Sequence, residues 1–161
     1  MFLKEFEIRW DDLDANWHLS NTSYMSYAGH MRMELLKKIG VGHTQMVQSK
    51  LGPVVFNEQI SYFKEVLPDQ RIQVSAALSG MSADGMFFRF HHDFYFKDGT
   101  NLARIVVTGG WIDLKTRKLT ALPEVLCKEF LHAPKTDDFK ILTAAETRQG
   151  GQKPKHLKNV P

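Results

Sequence analysis

The sequence predicts an α+β fold in which an antiparallel sheet wraps around one long central helix. Three observations lead there. A single segment, from about Ser23 to Ile39, carries apolar residues at spacings of three and four. An alternating segment precedes it, and a train of strand-like segments joined by short turns follows it. Sequential strands with short connections pair antiparallel, because a parallel pair would need a long crossover between them.

Each element can be justified in order. In Phe2 to Asp11, Phe6, Ile8 and Trp10 point one way and Glu5, Glu7 and Arg9 the other, the period of a half-buried strand. The polar run Asp11 to Asn21 breaks that period. Met25, Ala28, Leu35, Leu36 and Ile39 then mark the long helix, with Asn21, Thr22 and Ser23 offering caps and Gly40 a stop. Tyr24, Tyr27, Met31 and Met33 widen its apolar surface, as expected of a helix that other elements enclose. Leu51-Gly52-Pro53 reads as a turn, Val54 to Glu65 as a strand, Leu67-Pro68-Asp69 as a turn and Arg71 to Gly80 as the next strand. Phe87 to Phe96 is strand-like and aromatic on both faces. Lys97-Asp98-Gly99-Thr100 is a hairpin signal, since Asp-Gly suits a turn that needs positive φ. Ala103 to Asp113 returns, with Gly109 and Gly110 predicting a bulge or a close backbone approach. Pro123 to Phe130 reads as a short helix opened by proline. Beyond Ala133 the chain turns polar, so the domain is assigned to residues 1–132 and residues 133–161 to a polar, flexible extension. A sheet of this kind around one long helix is the hotdog architecture. Its free edges predict a two-fold homodimer, or a tetramer of paired dimers.

Composition excludes several classes of function. A chain of 161 residues is long enough for a core of its own. No window approaches the roughly 18 apolar residues of a membrane span. The start, Met1-Phe2-Leu3-Lys4-Glu5, lacks the apolar run of a secretory signal, so a cytoplasmic location is expected and no membrane partner. A net charge of +3, with Lys153, Lys155 and Lys158 gathered near the end, is no basic stripe, and no nucleic-acid partner is expected. The single cysteine, Cys127, excludes an internal disulfide and a cysteine-based zinc site. His91 and His92 are adjacent on a strand and point to opposite faces, so they would not share a metal. Neither a metal nor a cofactor is expected.

The chemistry concentrates in Asp14-Ala15-Asn16-Trp17-His18-Leu19-Ser20-Asn21-Thr22-Ser23-Tyr24. It sets a carboxylate, an imidazole and a carboxamide just ahead of a helix start. The first N–H groups of a helix are unpaired and carry partial positive charge. A thioester carbonyl lodged there would have its developing oxyanion stabilised. Asp14 could attack that carbonyl or activate a water, and His18 or Asn21 could hold the water or the acyl oxygen. The bland readings are a turn-forming Asp14 and a capping Asn21.

The run from Arg9 to Tyr24 resembles the opening of the 4-hydroxybenzoyl-CoA thioesterase-like hotdog enzymes. It is most similar to the branch with the pattern D-x-D-x-N-x-H-x-x-N-x-x-Y, shared in part with acyl-ACP thioesterases. The chain fits it at Asp12, Asp14, Asn16, His18, Asn21 and Tyr24. The resemblance continues to about Leu126, through Pro68-Asp69, Lys97-Asp98-Gly99 and Leu122-Pro123-Glu124. It implies that Asp14 is the catalytic carboxylate, with Asn16, His18 and Asn21 around the thioester and Ser23 and Tyr24 beside it at the helix start. Many relatives have Gly where Trp17 stands, and a Trp there would narrow or cap the acyl pocket. Many also carry a Glu at Gly29, three residues before an Arg kept here as Arg32. Glu34 is a second helix carboxylate, read more simply as ion-paired near Lys37 and Lys38. Asn57 and Glu58 form a polar insertion in the second strand, which in a hotdog dimer can reach the partner's site.

The expected function is therefore a thioesterase that takes acyl-CoA or an acyl-carrier-protein thioester to the free acid and thiol. Two alternatives stand beside it: a hotdog dehydratase or hydratase acting on acyl thioesters, and a non-catalytic acyl-thioester-binding protein.

Overall fold

The computed structural model describes residues 1–147 and 153–156; Lys158, assigned from sequence to the basic tail, lies outside them. Six strands form one sheet: β1 (Phe2–Glu7), β2 (Leu51–Tyr62), β3 (Arg71–Met81), β4 (Phe87–Tyr95), β5 (Asn101–Asp113) and β6 (Lys135–Ile141). The order is β1-β3-β4-β5-β2, every neighbour antiparallel. Among the described residues four α-helices accompany it: α1 (Asn21–Lys38), α2 (His43–Gln48), α3 (Glu124–Phe130) and α4 (Ala144–Thr147).

Helix α1 begins and ends by ordinary cap chemistry. The N-cap is Ser20, whose Oγ accepts from the Ser23 N–H at 3.2 Å, so Asn21 is the first helical residue and not the cap. At the far end Gly40 adopts φ +77°, its N–H donates to the Lys37 carbonyl, and the Val41 N–H donates to that of Leu36. This paired return satisfies two otherwise free carbonyls and needs the left-handed residue that glycine supplies. Tyr24, Tyr27, Ala28, Met31, Leu35 and Leu36 are buried along one side of the helix, and Tyr24 meets Phe94 of β4 ring to ring at 5.0 Å. Farther along the core, Trp111 packs against Phe88 and Phe130 and is wholly buried.

Three sequence expectations need correction. The turn before β2 lies at Lys50 (φ 54°), so Leu51-Gly52-Pro53 is already strand and β2 ends at Tyr62. Pro53 is tolerated because β2 is an edge strand, where a missing N–H breaks no ladder. The bulge falls in β2, where the register against β5 shifts between Val55 and Asn57, and β5 passes through Gly109 and Gly110 without an extra residue. Gly109 is the close approach: a Cβ there would stand 2.4 Å from the Val54 carbonyl oxygen. Residues 135–147, read from sequence as flexible extension, instead carry β6 and α4. Strand β6 pairs in parallel with the end of β3 that β1 leaves uncovered, and Leu142 and Thr147 are buried.

Candidate active site

The loop before α1 closes on itself through Asp14. A bridge between Leu13 and Leu19 pinches its ends together. The Asp14 N–H donates to the His18 carbonyl at 2.8 Å, and the Trp17 N–H donates to the Asp14 carbonyl at 3.0 Å. One carboxylate oxygen, Oδ1, accepts from the backbone N–H groups of Asn16 (2.8 Å) and His18 (3.1 Å). The other, Oδ2, makes no hydrogen bond among the described residues. Asp14 is thus held as a turn residue through one oxygen and left exposed at the other.

The two carboxylates of the motif divide their work. Asp12 is buried and serves the fold: Arg9 donates to both its oxygens, and the Tyr27 hydroxyl donates to Oδ2 at 2.6 Å. Burial alone would raise its pKa, but the hydrogen bonds from Arg9 and Tyr27 outweigh that and hold it below the usual carboxylate range. Ser23 is also structural, donating to the Asp12 carbonyl at 3.0 Å.

A cleft of about 540 Å³ opens between this loop and the end of β2. Asp14, His18, Asn21 and Tyr24 line one side; Tyr62, Phe63, Lys64 and Glu65 line the other. With Ser20 acting as cap, the Asn21 side chain is left to the cleft. Tyr24 is 2 % exposed, and burial first, then Tyr62, pushes its hydroxyl up to about 12, so it stays protonated and able to donate. The His18 imidazole, unlike its backbone N–H, does not meet the Asp14 carboxylate; its Nε2 lies 3.2 Å from Oε2 of Glu65. Glu65 is the site residue that sequence reasoning missed. Its one signal was a charged pair, Lys64-Glu65, standing between a strand end and a proline turn.

The structure does not gather the remaining candidates into this cleft. The Asn16 side chain is exposed, and Trp17 is 70 % exposed with φ at +62°. That backbone region disfavours a branched or bulky residue, so Trp17 is held there by the hydrogen bonds of the loop. Asn57 is exposed on the outer edge strand. Glu58 faces its own α1, 4.0 Å from Arg32. Glu34 is ion-paired with Lys4 of β1 at 3.9 Å, away from the cleft. Among the described residues no group of three or more His, Cys, Asp or Glu side chains is placed to hold a metal, and no helix is long and apolar enough to cross a membrane.

The comparisons with known proteins agree with this geometry. The thioesterase-like superfamily matches residues 8–130, a span holding the loop, the cleft and all the strands except β1 and β6. The chain belongs to that family. Solved structures share the fold of this thioesterase-like chain at low sequence identity. The YbaW probable thioesterase of Escherichia coli is 21 % identical, with TM-score 0.73 over 84 % of this chain and 100 % of that one. The 1,4-dihydroxy-2-naphthoyl-CoA thioesterase of Synechocystis is 15 % identical, with TM-score 0.71 over 81 % and 96 %. A hypothetical protein from Staphylococcus aureus, solved in complex with CoA, is 17 % identical, with TM-score 0.75 over 97 % and 95 %. No curated protein sequence matches the chain at a significant level.

Proposed function

We propose that this thioesterase-like protein hydrolyses an acyl thioester, of CoA or of an acyl carrier protein, to the free carboxylic acid and thiol. The observation that carries the reading is Asp14: a carboxylate with one oxygen anchored and one free, at the mouth of a cleft that the first turn of α1 also lines. In the hydrolysis, an oxygen nucleophile adds to the thioester carbon, either Asp14 itself or a water that gives it a proton. The unpaired N–H groups at the start of α1 stabilise the oxyanion. The C–S bond then breaks and the leaving thiolate takes a proton. A mixed anhydride between the acyl group and Asp14, if formed, is cleared by water to give the same acid and the free Asp14 carboxylate. Asn21 and the Tyr24 hydroxyl are the donors available to hold the acyl oxygen, and His18, oriented by Glu65, holds water. Family membership and the CoA complex of the Staphylococcus aureus neighbour support CoA as the carrier.

The hotdog arrangement, with the sheet curled about α1, and a homodimer joined along β2 are part of this proposal. Strand β2, twelve residues long, is an outer strand of the sheet among the described residues and ends at the cleft. A thiol-release assay over a panel of acyl-CoAs, comparing wild type with Asp14→Ala and Asp14→Asn, tests the function. The expected result is thiol release that falls at least about 100-fold in both variants while they stay folded. Release that survives both substitutions would remove Asp14 from the chemistry.

One observation favours a second reading. The His18–Glu65 contact inside the cleft is the imidazole–carboxylate pair that a dehydratase or hydratase of acyl thioesters would use as acid and base. Hydration of crotonyl-CoA without loss of its thioester would establish that reading in place of hydrolysis.

A further inference from the structure

Helix α1 and strand β2 meet at two points, one at the cleft and one beyond it, and these bound a seam between the two elements. At one end Tyr24 meets Tyr62, ring centroids 5.4 Å apart; at the other Arg32 meets Glu58 at 4.0 Å. From Tyr24 to Arg32 the helix rises about 12 Å, and from Tyr62 back to Glu58 the strand covers about 13 Å, so the two elements run side by side between these points. Met25 and Ile60, both partly buried against the core, lie between these points along the two elements. Gly29 opens it: a Cβ placed there would meet nothing within 4 Å. An interior helical glycine costs about 1 kcal/mol against alanine, and here it leaves room beside the Arg32 side chain.

Arg32 is an under-used cation. Its side chain is 14 % exposed, yet its guanidinium has a single hydrogen bond among the described residues, from Nη1 to His92 Nε2 at 3.3 Å. The wholly buried His92 spends its other ring nitrogen donating to the Ser75 carbonyl at 3.0 Å, so Nε2 is an acceptor and the ring is neutral. The Arg32–Glu58 separation of 4.0 Å is too long for a hydrogen bond. It matches what one intervening oxygen would span: two bonds of about 2.8 Å meeting near a right angle. A hydroxyl suits that position, accepting from Arg32 and donating to Glu58. A carboxylate would face the charge of Glu58.

We propose that the Arg32–Glu58 gap at the end of the seam selects an acyl group carrying a hydroxyl at its distal end. This rests on the reading that thioester chemistry occurs at the α1 start. An extended chain advances about 1.2 Å per bond, a third of the ~3.6 Å that a three-bond peptide unit covers. The Arg32 side chain leans back toward the helix start. An aliphatic chain of about eight to ten carbons therefore places its last carbon at the gap.

The test compares kcat/KM by thiol release for decanoyl-CoA, 10-hydroxydecanoyl-CoA and the CoA thioester of decanedioic acid. The expected result is a preference of about tenfold or more for the hydroxylated chain over decanoyl-CoA, the worth of one charge-assisted hydrogen bond. That ratio falls to within about twofold of one in Glu58→Ala and in Arg32→Met. Arg32 is the more buried, so the Glu58 variant decides if the other does not fold. Hydrolysis of decanoyl-CoA without preference would overturn this inference and leave the hydrolase reading standing, as would a stronger preference for the carboxylate or a preference that survives in Glu58→Ala. No hydrolysis of any of the three would overturn this inference, and the acyl-CoA panel then decides the hydrolase reading separately.

Discussion

At the residue scale the motif's two carboxylates, two positions apart, differ in setting: Asp12 is buried and Asp14 is exposed. Asp12→Asn removes an ionised acceptor from Arg9 and Tyr27 in a buried setting. It is expected to cost about 2 kcal/mol of stability, seen as a lower urea midpoint at unchanged slope. His92 gives a pH dependence. Burial first and the Arg32 cation second push its imidazole down to about 3 from the ordinary 6.5. Between those values the unfolded chain binds a proton that the folded chain refuses, so stability falls as pH falls from about 6.5 toward 3. The loss from this residue is about 2 kcal/mol at pH 5. In His92→Asn, which keeps a donor for the Ser75 carbonyl, the drop in urea stability between pH 7 and pH 5 should shrink by that amount. The placement of Asp14 in a loop just before the helix start was legible in the sequence because loop and helix are contiguous in the chain. Glu65 and the His92–Arg32–Glu58 cluster were not, because each joins residues that only the closed sheet brings within reach.

At the element scale, legibility followed burial on one face. The strand β3 announced itself through Ile72, Val74, Ala76 and Leu78, all buried. Strand β6 did not: along Lys135–Ile141 no residue is fully buried, so no alternation appears. Helix α2, at six residues, is too short to show a period. Yet β6 and the chain after it cover the end of β3, with Leu142 meeting the face of Gly80 and Lys140 ion-paired with Glu146. Truncation after Ala133 is therefore expected to cost at least about 2 kcal/mol, the burial of Leu142 alone, and to lower Tm. Gly109→Ala tests the close approach of β2 and β5. Its methyl would lie 2.4 Å from the Val54 oxygen and 2.7 Å from the Phe88 ring. A loss of about 3 kcal/mol by urea unfolding is expected.

For the whole molecule, the two ends of the sheet differ in kind. One ends in the short strands β1 and β6; the other ends in β2, twelve residues long and bearing Val55 and Tyr62 on its exposed surface. If β2 joins two copies, Val55→Lys with Gln59→Lys should shift the protein from dimer to monomer in sedimentation velocity, by placing like charges across the two-fold axis. An unchanged sedimentation coefficient would move the interface elsewhere. The three tryptophans are spread unevenly over this frame: Trp111 is sealed in the core, while Trp10 and Trp17 stand 86 % and 70 % exposed around the loop that presents Asp14. The molecule's own fluorescence therefore has two components. A blue-shifted emission, shielded from iodide, reports the integrity of the core. A red-shifted, quenchable one reports the loop around Asp14, and any acyl group that settles against that loop should dim or shift it without disturbing the first.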